Sequence, residues 1–174
     1  WSARLAELGL SLPPVVAPLA AYQPAVRTGN LVYTAGQLPI VDGELALRGK
    51  VSEGAEGIVT PEQAKAAART AALNALAAID DLVGIDSIVR VVKVVGFVAS
   101  ANGFSGQPAV VNGASELLGE VFGDAGKHAR SAVGVTTLPL DLLILDLSSA
   151  RHHPDIIRFF QGIESLCSSD LTNV

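Results

Sequence analysis

Methionine is absent from this 174-residue chain, cysteine occurs once, aromatic residues make up 5% and charged residues 17%. Each shortage excludes something. With Cys167 alone no intramolecular disulfide can form, and the expected compartment is a reducing cytoplasm. Cys167 lies in a Ser-rich tail, which suits a structural thiol better than a nucleophile. No apolar run reaches the roughly 18 residues that span a bilayer. The most apolar stretch, Ile88 to Ser100, is broken by Arg90 and Lys93. The first residues lack the basic-then-apolar order of a secretory leader. Twelve Lys and Arg against 17 Asp and Glu give a net charge of -5. That balance builds no cationic stripe to displace counterions from phosphates, so nucleic acid is not the expected main partner. No Ser/His/Asp or Cys/His set stands out, and no glycine run has the phosphate-cradling pattern between strand and helix. His152 and His153 are adjacent, hence on opposite sides of a strand or about 100° apart on a helix, a poor geometry for one metal. Neither a cofactor nor a metal is expected.

What the chain has is small aliphatic residues. Hydrophobic residues make up 49%, mostly Ala, Val and Leu. Such side chains let elements pack closely, and they leave more apolar surface than one subunit of this size needs, a hint of oligomerisation. The length suits one domain, read as residues 1–147 including a short N-terminal extension, with 148–174 as an appendage.

A short helix is predicted over Trp1 to Leu8, ended by Gly9, and then a Pro-containing extended segment from Leu12 to Pro18. Ala25–Arg27 and Leu31–Ala35, joined at Gly29-Asn30, read as a hairpin. Asp42-Gly43 turns into a strand over Glu44 to Arg48. Thr60-Pro61-Glu62-Gln63 has the capping box and N-terminal proline of a helix start. That helix runs to about Leu82, with Ala64, Ala68, Ala71, Ala75 and Ile79 at helical spacing.

Ile88 to Ser100 reads as a long strand. Ile88, Arg90, Val92, Val94 and Val98 should share one face; Val89, Val91, Lys93, Val95 and Phe97 should share the other. Both faces are mainly apolar, so helices should cover one and a second subunit the other. A second helix after Pro108 carries an apolar stripe from Val110 to Phe122. Strands over about His128–Thr137 and Leu142–Leu147 complete an α+β layout, a helix pair on one face of a mixed sheet. Asp155 to Leu166 could form a short amphipathic helix in the appendage.

Arg130 is the first candidate for chemistry. It shares a strand face with Ala132 and Gly134, which leave space, and a guanidinium over a hollow suits a carboxylate through two parallel hydrogen bonds. The competing reading is an intersubunit ion pair. Tyr22 could offer a phenol to a pocket or cover a core edge. His128, two residues before Arg130, falls on the same face and reads as a base or as a structural histidine.

Tyr22 through Pro39, which includes Gly29-Asn30 and Thr34-Ala35-Gly36-Gln37, resembles the first hairpin of the Rid/YjgF family. Asn112-Gly113-Ala114-Ser115-Glu116-Leu117-Leu118 and His128 through Val135, ending in Leu138-Pro139, resemble its longer YjgF-like branch. The resemblance implies a chorismate-mutase-like fold, a homotrimer and clefts between subunits. It also implies hydrolysis of enamines and imines such as 2-aminoacrylate to 2-oxo acids and ammonia. In that frame Arg130 matches the arginine on the substrate carboxylate, Tyr22 a pocket tyrosine, and Gly36 a glycine whose backbone lines the site. Ala35 replaces a serine, Ala132 a cysteine, and Leu145 stands where deaminating members place a glutamate that orients water. Asp146 should point to the opposite face by strand alternation.

The resemblance therefore implies a deaminase using Arg130 and Tyr22, with Gly36, Ala35 and Ala132 around a small carboxylate substrate. Loss of a general acid or base typically costs about 10²–10⁴-fold, so weak activity is expected. A non-catalytic carboxylate-binding protein is the alternative, and ribonuclease activity ranks last.

Overall fold

Thr60 starts the longest helix as its sequence predicts: its hydroxyl accepts from the Gln63 N–H, and the Gln63 side chain accepts from the Thr60 N–H. This computed structural model describes residues 1–15, 20–53, 59–138 and 143–151. In chain order the elements are α1 (Ser2–Glu7), β1 (Ala25–Thr28), β2 (Leu31–Thr34), β3 (Ile40–Val41), β4 (Glu44–Leu45), α2 (Pro61–Val83), β5 (Ile88–Ala99), α3 (Gln107–Phe122), β6 (Ala129–Val135) and β7 (Leu143–Arg151). The main sheet has the order β1-β2-β7-β5-β6. Only β5 and β6 run parallel, so the sheet is mixed.

Both long helices cover one face of this sheet. Ala64, Ala68, Ala71, Ala75 and Ile79 of α2 are fully buried, as are Leu117 and Leu118 of α3. Each such leucine contributes about 1.5–3 kcal/mol through burial. Gly96 of β5 lets α3 lie close, because a Cβ there would sit 2.5 Å from the Val111 Cγ2 methyl. Trp1 closes the far end, donating from its indole to the Ile88 carbonyl at 2.7 Å and meeting the Phe122 ring edge-on at 5.1 Å.

Three boundaries or faces differ from the sequence reading. The strand expected over Glu44 to Arg48 is only Glu44–Leu45. The Ala46 N–H is taken by the Pro39 carbonyl, and Gly49 turns away at φ +124°. In β5, the register against β7 shifts between Ile88 and Arg90 and again between Val91 and Lys93. Such irregularities break strict alternation. Val91 is thus buried under the helices, while Val92 emerges on the open side. Third, β7 continues past Leu147 to Arg151, with Ser148, Ser149 and Ala150 paired to β2. Two serines end an apolar pattern but not a ladder, since the backbone of a central strand is bonded on both edges.

Among the described residues, no element covers the face away from the helices. Val26, Tyr33, Val89, Val92 and Val133 are exposed there, between 37% and 51%.

Candidate functional site

Strand β6 forms one edge of the sheet, and its alternation sends Arg130, Ala132 and Gly134 to the helix side, with Ser131 and Val133 on the other. Arg130 pairs with Val94, a buried residue under the helices, but edge position leaves the arginine itself exposed. Two residues of α3 orient it. Its Nη1 donates to Asn112 Oδ1 at 2.7 Å and to Ser115 Oγ at 3.2 Å. Asn112 and Ser115 are three apart on a helix and so share a face. Among the described residues Nε and Nη2 have no hydrogen-bond partner, and no carboxylate pairs with the guanidinium.

The open space is not where the small residues suggested. A Cβ on Gly134 would meet the Gln107 amide at 2.4 Å, so that end of the strand face is already filled. The hollow lies instead toward the start of β6. It measures about 320 Å³ and is lined by Ser115, Gly119, Gly126, Lys127, His128 and Arg130.

His128 has a defined tautomer. Its Nδ1 lies 2.6 Å from the Gly126 carbonyl, which can only accept, so Nδ1 carries the hydrogen. In the neutral ring Nε2 is then a bare acceptor, 3.1 Å from Ser115 Oγ. The hydroxyl donates to Nε2 while accepting from Arg130. Burial, and secondarily the charge of Arg130, holds the imidazole below its ordinary pKa, against an opposing contribution from the Gly126 bond. The chain from Arg130 through Ser115 and His128 to Gly126 is continuous.

The other residues expected at the site lie elsewhere. Tyr22 is 51% exposed, just ahead of β1. Ala35 donates its N–H to the Pro24 carbonyl, and Gln37 exchanges backbone hydrogen bonds with Leu145. Gly36 sits against β7 on the face opposite Arg130: a Cβ there would lie 2.4 Å from Ile144 Cγ2 and 3.3 Å from an Asp146 carboxylate oxygen. Leu145 is fully buried in the core. Asp146 is half-buried on the open face, where burial raises its carboxyl above the usual carboxylate range. Gly36→Ala should therefore destabilise the fold by about 1–3 kcal/mol, the cost of forcing a β-branched neighbour aside. Urea unfolding of the two proteins measures it.

Within one chain these residues are not brought together. Two strands separate β2 from β6, a lateral distance of about 14 Å at normal strand spacing. Arg130 and Ala132 share one region; Tyr22, Ala35 and Gly36 share another. Cys167, His152, His153 and the helix expected over Asp155 to Leu166 fall outside the described residues. No helix among the described residues is long and apolar enough to cross a membrane.

Asn112 and Ser115 were not assigned a role from the sequence. Their three-residue spacing opposite a strand arginine was the available signal.

Comparison with known proteins gives a consistent picture. A family model described as "YjgF/chorismate mutase-like, putative endoribonuclease" matches residues 2–150. Protein TCP17 of Trypanosoma cruzi is 41% identical over 140 residues, 79% of this chain and 85% of its own. A RutC family protein of Pyrococcus abyssi is 32% identical over 129 residues, 73% of this chain and 83% of its own. The crystal structure of Atu1372, a protein of unknown function from Agrobacterium tumefaciens, superposes with a TM-score of 0.77 at 38% identity, covering 86% of this chain and 91% of that one.

Proposed function

The chain belongs to the YjgF/chorismate mutase-like family, and from that premise we propose that it hydrolyses small enamines and imines of 2-amino acids, such as 2-aminoacrylate, to 2-oxo acid and ammonia. One observation carries this reading: Arg130 is oriented by two neutral oxygens and left without a carboxylate among the described residues. A guanidinium so placed keeps its charge and its Nε/Nη2 edge for an incoming carboxylate, which it can grip with two parallel hydrogen bonds.

In this reading the working unit is a homotrimer. Two features support it. The open face of the sheet exposes Val89, Val92 and Val133, apolar surface that a neighbouring chain would cover. Arg130 and the pair Tyr22 and Gly36 also lie on separate parts of one chain, so a cleft holding all three draws on two subunits. Ala35 and Ala132 would then line its walls.

The test is release of ammonia and 2-oxo acid from 2-aminoacrylate generated by a second enzyme. A rate above spontaneous hydrolysis supports the deaminase. Saturable binding of a 2-oxo acid without any such rate supports a second reading, a carboxylate-binding protein that does not turn over. Burial of Leu145 at the place of the family glutamate favours that alternative. The net charge of -5 disfavours an RNA substrate.

A further inference from the structure

We infer that the cavity between the N-terminal segment, the β3–β4 hairpin and α2 is a separate ligand site, built for a small primary amine with an apolar body. It measures about 500 Å³, within the roughly 300–1,000 Å³ common for small-molecule sites. It shares no residue with the hollow beside Arg130, and Tyr22, Ala35 and Gly36 take no part in it. The inference therefore stands whether or not the chain is a deaminase.

Three stretches of sequence supply the apolar walls. Pro13, Pro14 and Val15 form one side, Ile40 and Val41 of β3 the other, and Leu73 of α2 part of the floor. The two prolines have fixed φ, so that wall is stiff before anything binds. Val41 is 50% exposed and Leu73 is partly buried, which leaves apolar surface for a ligand body to cover. Asn74 holds the opposite wall in place. Its amide nitrogen donates to the Leu38 carbonyl at 2.7 Å and to the Ile40 carbonyl at 3.1 Å. The turn at Asp42 and Gly43, at φ +50° and +83°, then sets the Asp42 carboxylate at the rim.

The polar groups decide the ligand's chemistry. Asn74 borders the cavity at only 9% exposure, and its Oδ1 accepts no hydrogen bond among the described residues. A buried amide oxygen is costly without a donor, and an entering N–H supplies one. Thr70 Oγ1 spends its hydrogen on the Ala66 carbonyl at 3.3 Å, so toward the cavity it can only accept. Asp42 is exposed and makes no ion pair among the described residues. Only Ser11, of the polar side chains here, keeps a hydrogen to give, and no Lys, Arg or His lines the space. Three acceptors, one of them charged, select a ligand rich in donors and repel a carboxylate. An ammonium has three donors and no acceptor.

The experiment titrates the nitrogen-15-labelled full chain with 2-phenylethylamine, 2-phenylethanol and phenylacetate. It follows the Asn74 side-chain amide and the backbone amides of Val41 and Gly43. The amine should shift these signals saturably, the alcohol should bind at least threefold more weakly, and phenylacetate should leave them unmoved. Asp42→Asn tolerates the same positive φ and removes the charge. It should weaken the amine by roughly threefold, the scale of an exposed ion pair, and leave the alcohol unchanged. Thr70→Trp, which fills the floor, should abolish binding of both. No saturable shift with the amine, or equal affinity for amine and phenylacetate, would overturn the site. So would full amine affinity in Thr70→Trp. If Thr70→Trp does not fold, Asp42→Asn decides: a loss confined to the amine supports the inference, and no loss contradicts it.

Discussion

Replacing Arg130 by alanine should weaken pyruvate binding by roughly 10- to 150-fold, the about 1.5–3 kcal/mol typical of a hydrogen-bonded charge. Isothermal titration of the two proteins gives the number. The fold should be unaffected, because Arg130 is exposed and its recorded partners, Asn112 and Ser115, are neutral and can turn to water. Arg130→Lys separates charge from shape. A lysine keeps the positive charge but loses the planar fork, so its affinity should fall between the parent and the alanine variant. Parent and Arg130→Ala with equal affinity would remove the clamp from the account.

The second large effect concerns the crossing of α2 and α3. Gly113 faces the backbone of α2, and a Cβ there would stand 2.0 Å from the Lys65 carbonyl oxygen and 2.9 Å from its carbon. Neither atom is the end of a flexible side chain, so one helix must move, and the alanine-lined interface beneath it opens. Gly113→Ala should cost about 3 kcal/mol, the upper part of the usual overpacking range. For a chain of this length that lowers Tm by about 6–12 °C. Gly119 is the control on the same helix. A Cβ there meets nothing within 4 Å, and Gly119→Ala should stabilise by about 0.5–1 kcal/mol through helix propensity. Calorimetry of both variants checks the pair. If Gly113→Ala melts with the parent, the close helix crossing is not present in solution.

The elements with local signatures were legible in the sequence. Thr60 and Gln63 announce a capping box and form one, Gly29 announces the hairpin and takes φ +55°, and the alanine and valine stripes of α2 and α3 are the buried faces. What depended on distant partners was not legible. Register shifts against β7 exchange Val91 and Val92 between faces, and nothing within residues 88–99 specifies them. The end of β7 was hidden because Ser148 and Ser149 look like a strand stop, although pairing with β2 carries the strand on.

At the candidate site the same division holds. Strand alternation placed His128, Arg130 and Ala132 on one face; Arg130 and Ala132 share it within β6, and His128, just ahead of the strand, meets Ser115 of α3 on that side. The space above that face could not be inferred from residue size, since Gln107 arrives from a separate helix to fill it over Gly134. The roles of Asn112 and Ser115 also depend on α3 lying alongside β6, a tertiary fact. Leu145 and Asp146 were placed correctly relative to each other by alternation alone, one buried and one on the open side.

The central claim is that the Arg130 guanidinium receives the carboxylate of a small organic acid. Its most direct test is the side-chain Nε–H resonance of Arg130 in a two-dimensional NMR titration of the full chain, with pyruvate and with its uncharged amide. The account predicts a saturable shift with pyruvate, none with the amide, and loss of that signal alone in Arg130→Lys. A pyruvate titration that saturates elsewhere and leaves the Arg130 resonance unmoved would contradict it.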